Sequence, residues 1–386
     1  MYILIAKIIF WVACTALIYC YFGYGLLLHF FNSFKHKATI HFSPELPQLT
    51  LIIPSFDEGH ILEKKIKNSL ALRYPTEKLK IIIVADGSAD DTLSILANYP
   101  QVTLLFQPQR RGKAAALNRA MKEVTTPITV FSDANSLLNK DCLEELVTLF
   151  VNNKIGGVAG EKRIAVTQNS VGRAEGLYWE YESWIKKREA AFKTVIGAAG
   201  ELFAMRTELY EPIPEHIILD DFYISLRLCL KGYTINYAAN AYATEAPTTS
   251  IGEEEKRKIR IAAGAFQVVS TIQWKGLLKQ PLIAFQFFSR RWLRWVVCPF
   301  ALPLILFLNI VLVINESPFL YTLLLVLQVF FYLVALVGAM TINNRKLVPA
   351  TAFFYFLFMN YCLLKGLLLY LRKKQTVLWP KAARQV

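Results

Sequence analysis

The chain has 386 residues and a formal net charge of +14, and 54% of its residues are hydrophobic. This length allows two or three domains. The apolar residues are concentrated in residues 1–31 and 295–371, and basic residues gather beside the apolar runs, as in the KRKIR and RRWLR segments. A nucleic-acid-binding protein would carry basic residues on a soluble face, interleaved with aromatic ones. The pattern therefore predicts a membrane protein with no nucleic-acid partner.

Two apolar regions predict membrane-spanning helices, since a span needs about 20 apolar residues. Residues 1–31 have no basic leader and no cleavage site, so we interpret them as a retained N-terminal transmembrane helix. Residues 293–371 predict a C-terminal transmembrane region of about three apolar segments. The other predicted units are a linker at 32–47, an α/β domain at 48–275, an interfacial amphipathic helix at 276–292 and a basic tail at 372–386.

Charge near the spans leaves two alternatives for the last apolar segment. Basic residues favour the cytoplasmic side of a membrane, so Lys35 and Lys37 predict that the α/β domain is cytoplasmic. Three full crossings after the domain would then leave the basic tail outside. Asn360 and Lys365 interrupt the last apolar run, which is therefore either a full span or a re-entrant or interfacial segment. Six scattered cysteines without a close CxxC pair predict reduced thiols, which fits a cytoplasmic domain.

Strand-like runs alternate with helical patterns in the first half of the α/β domain. The runs are LTLIIPS (49–55), KIIIVADGS (80–88), VTLLFQ (102–107) and PITVFSDAN (127–135). Strands that alternate with helices predict a parallel, doubly wound sheet. In such a sheet, ligands bind beyond the carboxyl ends of the strands.

Polar residues follow three of these predicted strands. They are Ser55, Asp57, Glu58, Asp86, Asp133 and Asn135. At the end of a strand, Asp133 and Asn135 would share one face, where their oxygens suit a hard divalent cation. A turn is the alternative for this pair, since Asp and Asn are common turn residues. Three acidic groups at one edge cost free energy unless a cation or a substrate compensates them, so the sequence favours a metal or ligand site.

The second half of the domain offers two further candidate segments. GAAGELFAMR (197–206) is glycine-rich, which is typical of a backbone that passes close to a ligand or of a turn. The second segment places Asp220 and Asp221 at the start of a helical pattern. We expect one of the two aspartates to be the N-cap, which leaves the other free for chemistry.

Six motifs in order make this domain resemble the membrane-bound family 2 glycosyltransferases, of the hyaluronan, cellulose and poly-N-acetylglucosamine synthase type. The motifs are IIPSFDEG, ADGSADDT, RRGKAAALN, FSDAN, GAAGELFAMR and LDDFYISLRL with KGY after it. The resemblance covers residues 49–264 and the flanking apolar segments. It implies a GT-A fold, which is a Rossmann-like α/β domain with a mostly parallel sheet, flanked here by transmembrane helices. It also implies a nucleotide-sugar donor and a divalent cation, Mg²⁺ or Mn²⁺.

The same resemblance implies roles in donor binding. Pro54, Phe56 and Glu58 would lie around the base and the ribose, and Asp86 would form a hydrogen bond with the base. Lys113 of the RGK motif would approach the diphosphate, where an ammonium group acts as a point charge.

It likewise implies a metal site and a catalytic base. Asp133 and Asn135 match the metal-binding Asp-x-Asp position, and Asp133 also belongs to the donor site. Asp221 matches the aspartate that removes the proton from the acceptor hydroxyl. The candidates for acceptor binding are Gly200, Asp220 and Arg260.

The chain departs from the family pattern at two places. Asn135 stands where many members have Asp, so the site has one negative charge fewer and a weaker expected affinity for a cation. The acceptor motif Gln-x-x-Arg-Trp aligns with residues 257–261, where Arg260 is kept and Arg257 and Ile261 replace the Gln and the Trp. Without this Trp, an aromatic platform for an acceptor sugar is missing, which argues against processive polymerisation.

The predicted function is an inverting, metal-dependent transfer of a sugar from a UDP-sugar to a membrane-associated acceptor, in exopolysaccharide or cell-envelope glycan synthesis at a bacterial cytoplasmic membrane. The acceptor is a growing polysaccharide or, alternatively, a lipid that receives one sugar, and membrane lipids are expected partners. An inactive membrane scaffold is a further alternative, against which the presence of Asp86, Asp133 and Asp221 argues. A dinucleotide-dependent oxidoreductase is excluded, because no GxGxxG turn follows the first strand.

Overall fold

The computed structural model describes residues 1–34, 45–166, 170–248, 250–316, 319–341 and 348–378, so Lys35 and Lys37 lie outside the described residues. The helices are α1 (Tyr2–Ser33), α2 (Gly59–Leu70), α3 (Thr92–Ala97), α4 (Lys113–Met121), α5 (Cys142–Val147), α6 (Ser170–Phe192), α7 (Asp220–Leu230), α8 (Ile251–Ser270), α9 (Trp274–Leu278), α10 (Pro281–Glu316), α11 (Phe319–Met340) and α12 (Val348–Leu371). The strands are β1 (Leu49–Ser55), β2 (Leu79–Asp86), β3 (Thr103–Gln107), β4 (Ile128–Phe131), β5 (Ser136–Leu138), β6 (Ile155–Ile164), β7 (Phe203–Arg206) and β8 (Thr234–Glu245).

The eight strands form one mixed sheet in the order β3-β2-β1-β4-β7-β6-β8-β5. The first four strands of this order are parallel to one another, as the alternation of strands and helices predicts. Their carboxyl ends therefore meet at one edge of the sheet, which is the edge that the sequence analysis assigned to the ligand.

The second half of the domain adds strands of the opposite direction. β7 is antiparallel to both β4 and β6, and β5 is antiparallel to β8. β6 and β8 run parallel, with a bulge between Gly160 and Glu161. This arrangement brings the residues before β7 and at the end of β8 to the edge where β1, β2 and β4 end.

Apolar side chains on both faces hold this sheet between two layers of helices. Every residue of β1 is buried, as expected for a strand that helices cover on both sides. Leu51 and Ile53 belong to one hydrophobic cluster, whereas Ile52 belongs to the other, because successive side chains point to opposite faces.

Within the described ranges, four helices are long and apolar enough to cross a membrane, namely α1, α10, α11 and α12. The first part of α10 includes a π-helical segment, Phe288–Val297, which carries the RRWLR run. Arg290 and Arg294 are buried there and form ion pairs with Glu182 of α6, at 2.6 and 2.5 Å. These pairs tie α10 to the α/β domain. The segment predicted to be interfacial, residues 276–292, lies partly within α10.

The last apolar helix, α12, packs along α8 of the domain. Gly366 lies so close to Ala262 that an added Cβ would come within 2.3 Å of its side chain. Lys365 forms an ion pair with Glu255 at 2.7 Å, and the Tyr355 hydroxyl donates to Glu254. After α12 the chain returns to the domain, where the Val377 carbonyl accepts a hydrogen bond from Arg260. The polar residues that interrupt the last apolar run therefore have partners within the protein.

Candidate active site

A cavity of about 250 Å³ opens at the carboxyl edge of β1 and β4. It contains nine of the eleven site residues that the sequence predicts. They are Pro54, Glu58, Lys113, Asp133, Asn135, Gly200, Asp220, Asp221 and Arg260. Residues separated by more than 200 positions in the chain thus meet at the predicted edge of the sheet.

Lys113 is the central cation of this cavity. It is the first residue of α4, and its ammonium group lies 2.8 Å from Asp133 and 3.3 Å from Asp220. Burial disfavours its charged form, but the surrounding aspartates outweigh burial and hold the pKa of Lys113 well above its ordinary value. The lysine is therefore a fixed positive charge between the two predicted acidic sites.

Asp133 also lies in a cluster of three carboxylates. One oxygen from each of Asp133, Glu201 and Glu245 lies within 4.8 Å of the others. Lys162 pairs with Glu201 and, at 2.6 Å, with Glu245. The pKa of Asp133 is raised, and burial is the largest cause of this shift. Three oxygen ligands at this spacing suit a hard divalent cation.

Sequence reasoning missed Glu201 and Glu245 as members of this cluster. Glu201 stands in the GAAGELFAMR segment, which was selected for its glycines, and Glu245 is the last residue of β8. The antiparallel strand β7 and the distant β8 bring these two residues to the carboxylate cluster, and alternation of strands and helices does not predict that pairing. The acidic residue that directly follows the glycine run was the available signal.

The strand that precedes Asp133 is shorter than expected. β4 ends at Phe131, so Asp133 and Asn135 lie in the connection to β5 and not on one strand face. Both residues line the cavity nonetheless. The Asn135 side-chain oxygen accepts a weak hydrogen bond from Ser136, at 3.4 Å.

Asp221 lies on the opposite wall of the cavity from β4, in the first turn of α7. Its Oδ2 accepts a hydrogen bond from the Gly200 amide at 2.8 Å, and its Oδ1 accepts one from the Phe222 amide at 2.7 Å. Burial first, and then the neighbouring Asp220, raises the pKa of Asp221 to about 7. A carboxylate with this pKa is suited to accept a proton near neutral pH.

The expectation that one of the two aspartates is the N-cap of α7 is wrong. The N-cap is Leu219, and no side chain caps the helix. Asp220 and Asp221 stand in the first helical turn, where negative charge is favourable because of the helix dipole. The carboxylate of Asp220 pairs with Lys113, so both aspartates face the cavity.

The remaining two predicted residues, Asp86 and Phe56, lie beside the cavity and not in its lining. Asp86 is completely buried and accepts hydrogen bonds from the Arg111 and Gly112 amides, the latter at 2.7 Å. Gly112 has a φ of 98°, a conformation in which a side chain would be strained. The Arg110 guanidinium lies 3.4 Å from the centre of the Phe56 ring. Asp86 thus shapes the loop that carries Lys113.

The two arginines at the position of the family's acceptor motif have different surroundings. Arg260 lines the cavity and donates to the Val377 carbonyl at 3.4 Å. Arg257 forms ion pairs with Glu175 at 2.6 Å and with Glu254 at 2.9 Å. The arginine that replaces the Gln of the motif is therefore part of a buried network that joins α8 to α6.

Comparison with known families agrees with this architecture. Residues 50–213 match the family described as Glycosyl transferase family 2. These residues form a family 2 glycosyltransferase domain. The match begins in β1 and includes the Lys113 loop, Asp133 and the glycine-rich segment, which are the elements on which the resemblance in the sequence was based. That resemblance is confirmed.

The chain is similar to poly-beta-1,6-N-acetyl-D-glucosamine synthases. It is 26% identical over 269 residues to the enzyme of Staphylococcus aureus, a match that covers 66% of this chain and 64% of the relative. The match to the Staphylococcus epidermidis enzyme is 26% identical over 265 residues, covering 65% of this chain and 63% of the relative. The chain therefore aligns with slightly less than two thirds of the length of these relatives.

A solved structure extends the likeness in fold to almost the whole chain. The mannosyltransferase PcManGT from Pyrobaculum calidifontis, in complex with GDP-Man and Mn²⁺, superposes with a TM-score of 0.71 at 21% identity. The match covers 95% of this chain and 100% of that one. The expected fold class is confirmed: this is a GT-A type α/β domain, and four apolar helices flank it.

Proposed function

We propose that this protein is an inverting, metal-dependent glycosyltransferase that moves a sugar from a UDP-sugar to a membrane-associated acceptor. The observation that carries the proposal is the cavity that holds a carboxylate cluster, a half-buried lysine and a carboxylate with a raised pKa. Similarity to the poly-beta-1,6-N-acetyl-D-glucosamine synthases supports a sugar donor and an exopolysaccharide or cell-envelope product.

Asp133, Glu201 and Glu245 are the residues that would hold a divalent cation. Their oxygens fit such an ion, because carboxylates are hard ligands and these three already lie within 4.8 Å of one another. Asn135, at the edge of the same cavity, is a further oxygen ligand within the proposed site. A bound cation would neutralise charge that develops on the departing diphosphate.

The donor would lie between β1 and the Lys113 loop. Lys113 supplies a positive charge for the diphosphate and is already desolvated, so its attraction to phosphate is stronger than that of an exposed lysine. Pro54 and Glu58 line the adjoining wall. Phe56, under the Arg110 guanidinium, and the loop that Asp86 holds are assigned to the nucleoside.

Asp221 is the proposed catalytic base. Its carboxylate takes the proton of the acceptor hydroxyl while the hydroxyl oxygen forms a bond to the anomeric carbon of the sugar. The bond between that carbon and the diphosphate oxygen breaks, and the nucleoside diphosphate leaves with the electron pair. Attack from the side opposite the diphosphate inverts the configuration at the anomeric carbon. The Gly200 amide, which donates to Asp221, keeps the carboxylate oriented.

Gly200, Asp220 and Arg260 are assigned to the acceptor side, next to Asp221. The four apolar helices support a membrane-associated acceptor, either a growing polysaccharide or a lipid that receives a single sugar. They also support localisation in a bacterial cytoplasmic membrane, with the glycosyltransferase domain in the cytoplasm.

The proposal is tested with detergent-solubilised protein and a panel of nucleotide sugars. Release of the nucleoside diphosphate is followed with Mn²⁺ or Mg²⁺ and with chelator, and UDP-, GDP- and dTDP-sugars are compared. We expect release from a UDP-sugar that depends on the cation and is lost in Asp133→Ala. Release that is equal in chelator would refute the metal dependence, and absence of release from every donor would favour an inactive scaffold. The length of the product separates polymerisation from single transfer.

A further inference from the structure

A second cavity adjoins the active-site cavity on the side of Asp221. Its volume is about 200 Å³, and it shares Glu201, Asp221 and Arg257 with the first cavity. At about 30 Å³ for each water in the liquid, this space equals about seven water molecules. Residues of the α/β domain and of the apolar helices α10 and α12 line it together.

Positive charge dominates the wall of this second cavity. Its carboxylates are Glu182, Glu201 and Asp221. Its cationic side chains are Lys162, Lys186, Arg257, Lys258, Arg291 and Arg294. Six cationic side chains thus line the cavity together with three carboxylates.

Most of these cations already have carboxylate partners. Arg294 pairs with Glu182, and Lys162 pairs with Glu201. Arg257 and Lys258 both pair with Glu254, the latter at 3.4 Å. These side chains are accounted for by the folded structure alone and do not by themselves indicate a ligand.

Lys186 is the exception. It is 4% exposed, and across the described residues its ammonium group makes no hydrogen bond and no ion pair. Its nearest aromatic contact is weak, with 5.8 Å to the centre of the Trp179 ring. Burying an ammonium group without a partner is costly, and burial accordingly lowers the pKa of Lys186. An anion in the cavity would remove this cost.

Arg291 also lines this cavity, and among the described residues it forms no ion pair with a carboxylate. Its Nε and Nη2 donate to the Ile196 carbonyl at 2.9 and 2.6 Å, which fixes the guanidinium but leaves its charge. Lys186 and Arg291 come from α6 and α10, which the ion pairs of Glu182 with Arg290 and Arg294 hold together. Together they form a preorganised pair of cations.

The opposite wall is apolar and comes partly from a candidate membrane span. Met359 and Leu363 of α12 line it, together with Ala262 and Ala265 of α8. Trp295 of α10 completes this wall. A small soluble anion gains no binding free energy from such an apolar surface, whereas the acyl chain of a lipid gains binding free energy when it is buried against it.

We infer that the second cavity binds the phosphate of an anionic lipid acceptor, held by Lys186 and Arg291, with a free hydroxyl of the same lipid directed to Asp221. This inference rests on the proposed function and specifies its acceptor. The hydroxyl, not the phosphate, is the group that receives the sugar, so the phosphate keeps its charge throughout and Asp221 keeps its role as base. The Trp that the family motif would supply at Ile261 is replaced in this cavity by Trp179 and Trp295.

Short-chain lipids test the inference by thermal stabilisation, which needs no turnover. The full-length protein in nonionic detergent is heated with dioctanoylphosphatidylglycerol, with dioctanoylglycerol or with inorganic phosphate. Because a ligand that binds the folded state raises Tm, we expect a rise with phosphatidylglycerol that is at least three times the rise with the diacylglycerol. Lys186→Met is expected to lose this difference, and Lys186→Arg to keep most of it.

Lys187→Met is the matched control, because Lys187 is half exposed and pairs with Glu161 at 3.5 Å. Equal stabilisation by the two lipids, or an undiminished difference in Lys186→Met, would overturn the inference. Stabilisation by inorganic phosphate as large as that by phosphatidylglycerol would overturn its lipid part. Cation-dependent release of the nucleoside diphosphate by the unmodified protein with a total lipid extract tests the proposed function separately, so the two can fail independently.

Discussion

Replacing Asp221 with Asn tests the catalytic base directly. The carboxylate uses both oxygens, one toward the Gly200 amide and one toward the Phe222 amide. Asn has a single acceptor oxygen, so the variant loses one of these two hydrogen bonds, at a cost of about 1 kcal/mol in folding free energy. The larger effect is chemical, because a neutral amide does not accept the proton of the acceptor hydroxyl.

The size of the effect follows from the role and from the pKa. General base catalysis contributes about 10²–10⁴-fold, so we expect the rate of transfer in Asp221→Asn to fall by that factor, or about 3–5 kcal/mol in the barrier. A pKa of about 7 means that Asp221 is half ionised at pH 7. Since only the ionised form acts as base, the kcat/KM of the unmodified protein should fall about tenfold for each pH unit below 7.

The assay is transfer of sugar to acceptor between pH 5 and 9, with donor binding measured separately. The unmodified protein should show an acidic limb near pH 7, and Asp221→Asn should show a low, flat profile with donor affinity kept. Asp141→Asn is the matched control, because Asp141 is an exposed partner of Arg73. An acidic limb that persists in Asp221→Asn, or a rate within threefold of the unmodified protein, would refute the assignment.

Three further substitutions probe the cation site, the Lys113 loop and the contact with the apolar helices. Glu201→Gln removes one carboxylate from the cluster of three, so the Mn²⁺ concentration for half-maximal activity should rise about tenfold or more. An unchanged Mn²⁺ concentration for half-maximal activity would exclude Glu201 as a ligand. Gly112→Ala places a side chain on a backbone with a φ of 98°, which costs about 1–2 kcal/mol of strain, so we expect the KM for the donor to rise about tenfold. Gly176→Ala is the control, because a side chain there meets open space. Equal KM values for the two variants would contradict this role of Gly112. Glu182→Gln leaves Arg290 and Arg294 buried without their carboxylate, so the free energy of unfolding, measured by denaturant titration, should fall by about 3–5 kcal/mol. Glu180 is exposed, so Glu180→Gln should have no such effect.

The parallel half of the sheet could be predicted from the sequence because its signals are local. Buried runs such as β1 alternate with helical patterns, and the polar residues after them point to one edge by geometry alone. Lys113, Asp133 and Asp221 were found in this way or through their motifs. Their side chains line one cavity, as the family pattern implies.

What the sequence did not predict depends on long-range pairing. Glu245 reaches the cation site through the pairing of β8 with β6 and β5, which places its carboxylate beside Lys162. The alternation of side chains within β8 does not indicate which distant strands it pairs with. Likewise, β4 ends at Phe131 with its short pairing with β1 and β7, although the sequence predicted a strand that continued to Asn135.

The chain returns to the α/β domain after α12, which decides whether the helices α10 to α12 would cross a membrane an odd or an even number of times. Val377 lies against Arg260 and within 3.5 Å of the position that a Cβ on Gly112 would take, so the residues before and after the apolar helices lie on one side. In a bilayer, the segment from α10 to α12 must then cross an even number of times. If α10 and α11 were an outward and a returning crossing, α12 would lie along the surface beside α8, and Arg372, Lys373 and Lys374 would stay on the side of the domain. Such an arrangement would reconcile three apolar segments with basic residues after α12 on the cytoplasmic side.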